Sequence, residues 1–504
     1  MLVSNAPVLI PILFLAVAIL VPLIAWKQKW LAWPVTIIAS AASVVISVSD
    51  IFRVIDNNGP IHYYLGKWAP PIGIEYVMDH LSAFIALVIN GVAFLVLIHA
   101  KKIVNAEIPP HKEVPFYATV LLMLCGFNGI VITGDLFNLY VFLEISSLSL
   151  YGLIAVGEKQ SPVAAFRYLI LGTVAASFYL LGIGFLYVIT GSLNMADVKG
   201  ILTIPAILNE PAVLIALVLM LLGMGIKMAL FPLHGWLPDA YTYAPSTTSA
   251  IVAPTGTKVG SYVLLRILFF VFGVNFVSKT LPITTLLAWL AAIAIIYGSV
   301  LAIAQKEIKR MLAYSSVAQV GYIALGIGLA NPLGLIGAVL HILNHAFMKA
   351  CLFLVAGNFR YKLGHSNISK LTNSIRKKMP WTMVAFTVAA LSMVGLPPTA
   401  GFFSKLYLVM GTIKNSNWIF LAVIILSSLL NAVYFFRILE KVYMKPMEGN
   451  PSEEKETDEV KRSEVNSLML LPTLIMAAGL IVLGIINAII VNGIIKYIIP
   501  SAGM

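Results

Sequence analysis

The chain consists of long apolar runs separated by short polar stretches, and within the runs apolar and polar positions do not alternate. Uninterrupted apolar runs of about 18 residues or more predict membrane-spanning helices. The missing period of two excludes an outer-membrane barrel. The pattern predicts helices at 7–26, 31–49, 81–100, 115–133, 136–156, 168–190, 211–243, 248–273, 281–303, 312–330, 334–356, 380–413, 417–440 and 466–498, fourteen in all. The first run carries no small-residue cleavage motif and is read as a true span, not a signal peptide. Two runs, 211–243 and 380–413, are too long for one straight crossing. The first contains Phe231-Pro232 and then Pro238; the second contains Gly395-Leu396-Pro397-Pro398. Proline removes a backbone donor and breaks a helix. In a membrane such a break survives only where protein or a wet cavity satisfies the freed groups. The broken spans are the seventh and twelfth, five apart and therefore opposite in direction. Lys227 precedes one break and Lys405 follows the other. Paired interrupted helices in inverted positions point to a transport site, although the lysines lie on opposite sides of their breaks.

Composition agrees with this reading. Hydrophobic residues make up 60% of the 504 and charged residues 11%, against about 25% charged in soluble domains; mean hydropathy is +0.95. A soluble domain, a disordered chain and a disulfide-stapled secreted fold are all excluded. Cys125 and Cys351 lie in apolar runs and read as small buried hydrophobes. Of the 33 Lys and Arg, 22 fall in the segments on one side of the predicted spans, 6 on the other and 5 within spans. The positive-inside rule then sets both termini on the outer side. The net charge of +12 is mostly this bias, and no soluble basic face exists for nucleic acid.

The largest soluble pieces are an outer loop, 50–80, and an inner segment, 441–465, whose PSEEKETDEVKR run reads as a solvated linker or surface helix. No dinucleotide, phosphate-loop, zinc-protease or nucleophile-elbow motif occurs. No cofactor or metal is expected, and no haem, flavin or iron–sulfur ligand set is present for redox chemistry.

Lys227, Lys258, Arg266, Lys349 and Lys405 lie within spans, and so does Glu144. Four lysines and a glutamate at helix centres cost roughly 15 kcal/mol on insertion scales. Such groups normally face a wet interior and mark an ion path. Arg266, nearer the outer end of its helix, is expected to snorkel and anchor. Glu144, among Ser146, Ser147 and Ser149, is expected to pair with Lys227. A purely structural buried pair is the rival, but apolar replacements of such pairs are often neutral or stabilising. His341, His345 and Lys349 are spaced i, i+4, i+8 and share one helix face. Histidine titrates near neutral pH and suits a proton relay. A zinc pair lacks a third ligand and would be repelled by Lys349.

The strings KMALFPLHGWLPDAYTYAPS (227–246), TGTKVGSYVLLR (255–266), AYSSVAQVGY (313–322), HILNHAFMKACLFLVAG (341–357) and GLPPTAGFFSKLYL (394–407) together resemble the antiporter-like subunits shared by respiratory complex I, Mrp-type sodium/proton antiporters and membrane-bound hydrogenases. The resemblance covers about residues 70–440. LFNLYVFLE resembles the D-type Mrp subunit and its hydrogenase relatives more than the quinone-proximal subunits. The resemblance implies an all-α polytopic membrane protein of about fourteen transmembrane helices, with two inverted five-helix repeats and broken helices seven and twelve. The division is helices 1–3 (1–110), a first repeat (111–275), a second repeat (276–440) and a linker with the last helix (441–504). It also implies that Glu144 and Lys227 form the family's glutamate–lysine pair, that Lys258 is the connecting lysine, that His341 and His345 lie on the central polar axis, and that Lys405 is the distal exit. Tyr241 departs from the histidine that many relatives carry there.

The expected function is proton translocation, with Lys349 either on the path or at its inner mouth. Sodium stays open as a second ion, and so does the parent complex: Mrp antiporter, hydrogenase, a ferredoxin-driven relative or complex I. The expected partners are other membrane subunits and the lipid bilayer of the cell membrane. An organic-solute carrier would share the broken helices but not the row of lysines. A structural subunit would not need the buried charges.

Overall fold

A backbone crossing hydrocarbon has no water to bond to, so each crossing must close its own hydrogen bonds. The chain does this almost wholly as helix. The computed structural model describes residues 5–57, 59–157, 160–444 and 462–500. The long helices are α1 (Ala6–Ile24), α2 (Ala32–Asp56), α3 (His80–Glu107), α4 (Glu113–Ile132), α5 (Leu136–Ala155), α6 (Ser161–Thr190), α7 (Pro211–Lys227), α8 (Leu237–Tyr243), α9 (Ser246–Leu265), α10 (Ile283–Ala304), α11 (Ile308–Gly328), α12 (Pro332–Leu363), α13 (Pro380–Val394), α14 (Ala400–Lys414), α15 (Trp418–Leu439) and α16 (Ser467–Ile485). Among the described residues twelve helices are long and apolar enough to cross a membrane. The two long runs with internal prolines are each split, α7 from α8 and α13 from α14. The protein is a multi-pass membrane protein.

The bundle has a centre and a rim. In α11 and α12, 94% of the most apolar stretch is buried, against 33% in Lys29–Asp56 and in Trp418–Met444. Helix α12 is the hub and packs against α3, α9, α11, α13, α14 and α16. Side-chain oxygens close several helix starts. Asp79 and Ser82 form a reciprocal capping box on α3, and Asp135 accepts from Asn138 N on α5 at 2.6 Å. Such caps satisfy donors that the first turn leaves free. Gly395 ends α13 with φ +92, a conformation that costs glycine little.

The segment 50–80 contains more structure than an outer loop. Helix α2 runs on to Asp56, so Arg53 is helical. A hairpin follows, β1 (Ile61–Tyr64) antiparallel to β2 (Glu75–Met78), with Ile61 opposite Met78. Glu75 ties this hairpin to the bundle by accepting from Asn194 Nδ2 at 2.6 Å. Of the inner segment, 445–461 lies outside the described residues, and so does Lys159.

Two cations sit differently from their sequence reading. Arg266 does not snorkel. It is buried, its guanidinium pairs with Asp79 at 2.5 Å, and its Nε donates to the Tyr262 hydroxyl at 2.9 Å. A carboxylate at the start of α3 gives the charge a better partner than the interface. Lys309, counted with the inner-loop cations, is buried at the start of α11 and donates to the Ala244 carbonyl at 2.6 Å.

Candidate functional site

The break after α7 leaves Lys227 as the last residue of that helix, buried and turned toward α5. Its ammonium donates to Ser147 Oγ at 2.6 Å. The expected direct pair with Glu144 is absent: no ion pair among the described residues contains Glu144. Glu144 still interacts electrostatically with Lys227, and its Oε1 is buried without a hydrogen-bond partner among the described residues. Residues three apart share a helix face, so Ser147 stands one turn further along α5 and takes the position nearest the amine. A cavity of about 40 Å³ adjoins Lys227, lined by Ser147, Trp236, Gly256 and Gly260 among others. That is room for a few waters at about 10–15 Å³ each. The cavity opens onto α9, the helix that carries Lys258.

Lys258 is buried and donates to the Ala253 carbonyl at 2.6 Å and to Thr257 Oγ1 at 3.1 Å. Pro254 lies between those partners in sequence and has no N–H, which loosens the helix at that turn. Lys349 donates to the Leu312 carbonyl at 2.7 Å and to Ser315 Oγ. Lys405 reaches back across the second break. Its amine donates to the carbonyls of Met393 and Val394, both at 2.9 Å, and to Ser428 Oγ at 3.1 Å. It also lies 5.1 Å from the centre of the Tyr322 ring. The carbonyls at the end of α13 carry the negative end of that helix's dipole and favour a cation. The three lysines are therefore held alike, each by backbone carbonyl and hydroxyl, and none pairs with a carboxylate among the described residues.

Two histidines stand near these lysines. His341 Nδ1 lies 2.9 Å from Ser404 Oγ and Nε2 lies 3.0 Å from Gln319 Oε1. Its ring stacks on that of His345 at 5.7 Å. Neither ring nitrogen of His345 has a hydrogen-bond partner among the described residues, although the residue is fully buried. His345 interacts electrostatically with Lys258 and Lys349, and His341 with Lys258 and Lys405. The predicted residues thus fall into two groups. Lys227 lines the small cavity, with Glu144 nearby on α5. Lys258, Lys349, His345, His341 and Lys405 form a second group of buried residues beyond it, with no hydrogen bond between a histidine and a lysine among the described residues. Among the described residues no group of three His, Cys, Asp or Glu could hold a metal ion. Tyr241 is buried against Trp236 and Phe353.

Sequence reasoning did not single out Gln319, Ser315, Tyr322, Ser404 and Ser428. A signal for three of them was present. Ser315, Gln319 and Tyr322 are spaced i, i+4, i+7 in an apolar helix, so one face of a central helix is polar.

These features define a polytopic helical membrane protein with two interrupted helices and a buried file of lysines and histidines between them. A model of the family described as NADH:quinone oxidoreductase/Mrp antiporter, TM, matches residues 133–431. The chain is 46% identical to NADH-quinone oxidoreductase subunit N of Desulforudis audaxviator, over 97% of this chain and 98% of that protein. It is 32% identical to the D-type Na(+)/H(+) antiporter subunit of Alkalihalophilus pseudofirmus, over 89% and 88%. Among solved structures, a chain of the archaeal membrane-bound sulfane sulfur reductase matches with TM-score 0.87 and 31% identity, over 97% of this chain and 96% of that one. A chain of the Mrp complex from Dietzia shares the fold at TM-score 0.87 and 23% identity, over 99% and 97%. The chain belongs to the NADH:quinone oxidoreductase/Mrp antiporter family and is an antiporter-like subunit of a multisubunit membrane complex.

Proposed function

We propose that this chain translocates protons along its buried lysines as one subunit of an ion-pumping membrane complex. The observation that carries the reading is how the lysines are held. Lys258, Lys349 and Lys405 are buried against carbonyls and hydroxyls with no carboxylate partner among the described residues. A structural ion pair would supply a counter-charge. Neutral dipoles accept an ammonium and also release it as an amine, which a relay requires.

Glu144 is the switch. When the carboxylate stands close to Lys227 it favours the ammonium. When it withdraws or is neutralised, the proton moves through the small cavity toward Lys258. His345 and His341 carry it to Lys405, the distal station. Each charge biases the next, so the coupling is electrostatic along the file. Lys349, beside Lys258, acts as a side station.

We read fourteen crossings, with each broken pair counted as one, both termini on the outer side, and the two five-helix repeats at 111–275 and 276–440 related by inversion. The host membrane is the cell membrane. The relatives' names divide between quinone reduction and sodium/proton exchange, which supports a common pumping unit. Co-purifying subunits identify the parent complex.

The test is transport by the assembled complex. Glu144→Ala and Lys227→Ala are each expected to reduce proton-coupled transport to background while the subunit still assembles. Normal transport in either assembled variant would overturn the reading.

A further inference from the structure

A second polar line crosses the molecule away from the lysine file. Along α2 the buried face is polar: Thr36, Ser40, Ser43, Ser47 and Asp50 are each at most 1% exposed, while Ile38, Val45 and Phe52 on the other face are exposed. Close packing of helices through small hydroxyl residues explains part of this. Thr36, Ser43 and Ser47 bond back to carbonyls of their own helix. Packing does not explain Asp50. A carboxylate inside a membrane helix is costly and marks function by default. Asp50 Oδ1 meets Arg53 Nη1 at 3.4 Å, long beside the roughly 2.7–2.9 Å of a strong charge-assisted bond, and Oδ2 is buried without a partner among the described residues. One turn below, Ser47 Oγ accepts from Asn90 at 2.8 Å. Asn90 and Asn128 exchange two amide bonds of 2.9 and 3.0 Å. The polar line thus runs from Asp50, near the hairpin end, across α3 to α4. The other face of α4 presents Phe127 and Ile130 to the cavity at Lys227.

We propose that Asp50 is a proton-binding site, separate from the lysine file, at the hairpin end of this Ser/Asn line. A proton suits it better than a metal cation. Ser47 Oγ donates to the Ser43 carbonyl and already accepts from Asn90, and the amide oxygens of Asn90 and Asn128 each accept from the other amide. Too few oxygens remain for the six or so ligands a hard metal cation takes. Of the helices packed on α2, α1 carries no ionisable side chain, α4 contributes Asn128, and α3 contributes Asn90 and, at the far end of α2, Lys101, whose amine lies 4.4 Å from the centre of the Trp33 ring. Arg53 is the charged group acting on Asp50.

Dicyclohexylcarbodiimide tests this directly, because it modifies buried carboxyl groups in their protonated form. In the purified whole complex, mass spectrometry is expected to find the reagent on Asp50. Arg53→Gln is expected to speed that modification several-fold, and Asp50→Asn to remove it. Lys227→Ala is expected to leave it unchanged, so the site stands or falls independently of the lysine relay. An unmodified Asp50 would overturn the proposal. Protection of Asp50 by sodium would also overturn it, by assigning the site to a metal cation.

Discussion

The two interrupted helices resolve the same problem in opposite ways. At the first break the lysine ends its helix and reaches outward to another helix, where Ser147 accepts its hydrogen bond. An acid stands nearby, and there is space: a Cβ on Gly235 would meet nothing within 4 Å, and the small cavity adjoins. At the second break the lysine follows the interruption and folds back on it. There a Cβ on Gly395 would meet Lys405 Cδ at 3.0 Å, and one on Gly401 would meet the Ser392 carbonyl at 1.9 Å. One lysine thus has a charged neighbour and room to move. The other is clasped by fixed dipoles in a tight joint. In the proposed relay the first is the switched lysine and the second the one that holds and releases.

The largest expected effect is on the switched side. Lys227→Ala and Glu144→Ala should remove proton-coupled transport altogether, as measured on purified, fully assembled complexes in liposomes. Survival of transport in either variant would overturn the proposed relay and erase the contrast between the two breaks.

The cluster between the breaks comes next. His345→Phe keeps the ring's bulk and removes both unpartnered nitrogens, so it should slow transport severely without harming assembly. His341→Gln retains hydrogen-bonding atoms toward Ser404 or Gln319 and should be milder. Equal losses in the two would show that packing matters at this point and proton exchange does not.

Ser147→Ala should have an intermediate effect. It deletes the hydrogen bond that the Lys227 amine makes to Ser147 Oγ. A bond to a charged group is worth about 1.5–3 kcal/mol, so a change of roughly tenfold or more in rate is expected. Glu144 becomes the nearest alternative acceptor. A direct ion pair formed in this variant would hold the proton in place and should slow transfer.

The smallest effects separate the two joints by packing. Gly401→Ala forces a methyl group onto the Ser392 carbonyl and should lower thermal stability by about 1–3 kcal/mol, the usual cost of overpacking. Gly235→Ala at the open joint should be silent. Thermal unfolding of the two purified variants checks this pair.

The fold was largely legible because hydrocarbon imposes one rule, continuous apolar helix, and the breaks were legible because proline cannot donate. The hairpin was not. IHYY and EYVM are four-residue runs, too short to stand out beside twenty-residue apolar helices. Pairings were legible only within one helix. The His341, His345, Lys349 spacing placed three groups on one face. Arg266 and Asp79, however, are 187 residues apart, and periodicity along one helix says nothing about which helix lies opposite. The same limit applies to the expected pairing of Glu144 with Lys227. Residue types indicate attraction, but only packing shows that Ser147 comes first.

The central claim is that Lys405 must give up its proton, and one substitution separates release from mere charge. Arginine keeps the cation that the Met393 and Val394 carbonyls hold, but its guanidinium does not deprotonate in proteins. The measurement is proton translocation by the purified complex carrying Lys405→Arg in liposomes, compared with Lys405→Ala. The account predicts that the arginine variant assembles normally and fails almost as completely as the alanine variant. Near wild-type translocation by Lys405→Arg would make Lys405 an electrostatic fixture and contradict the relay.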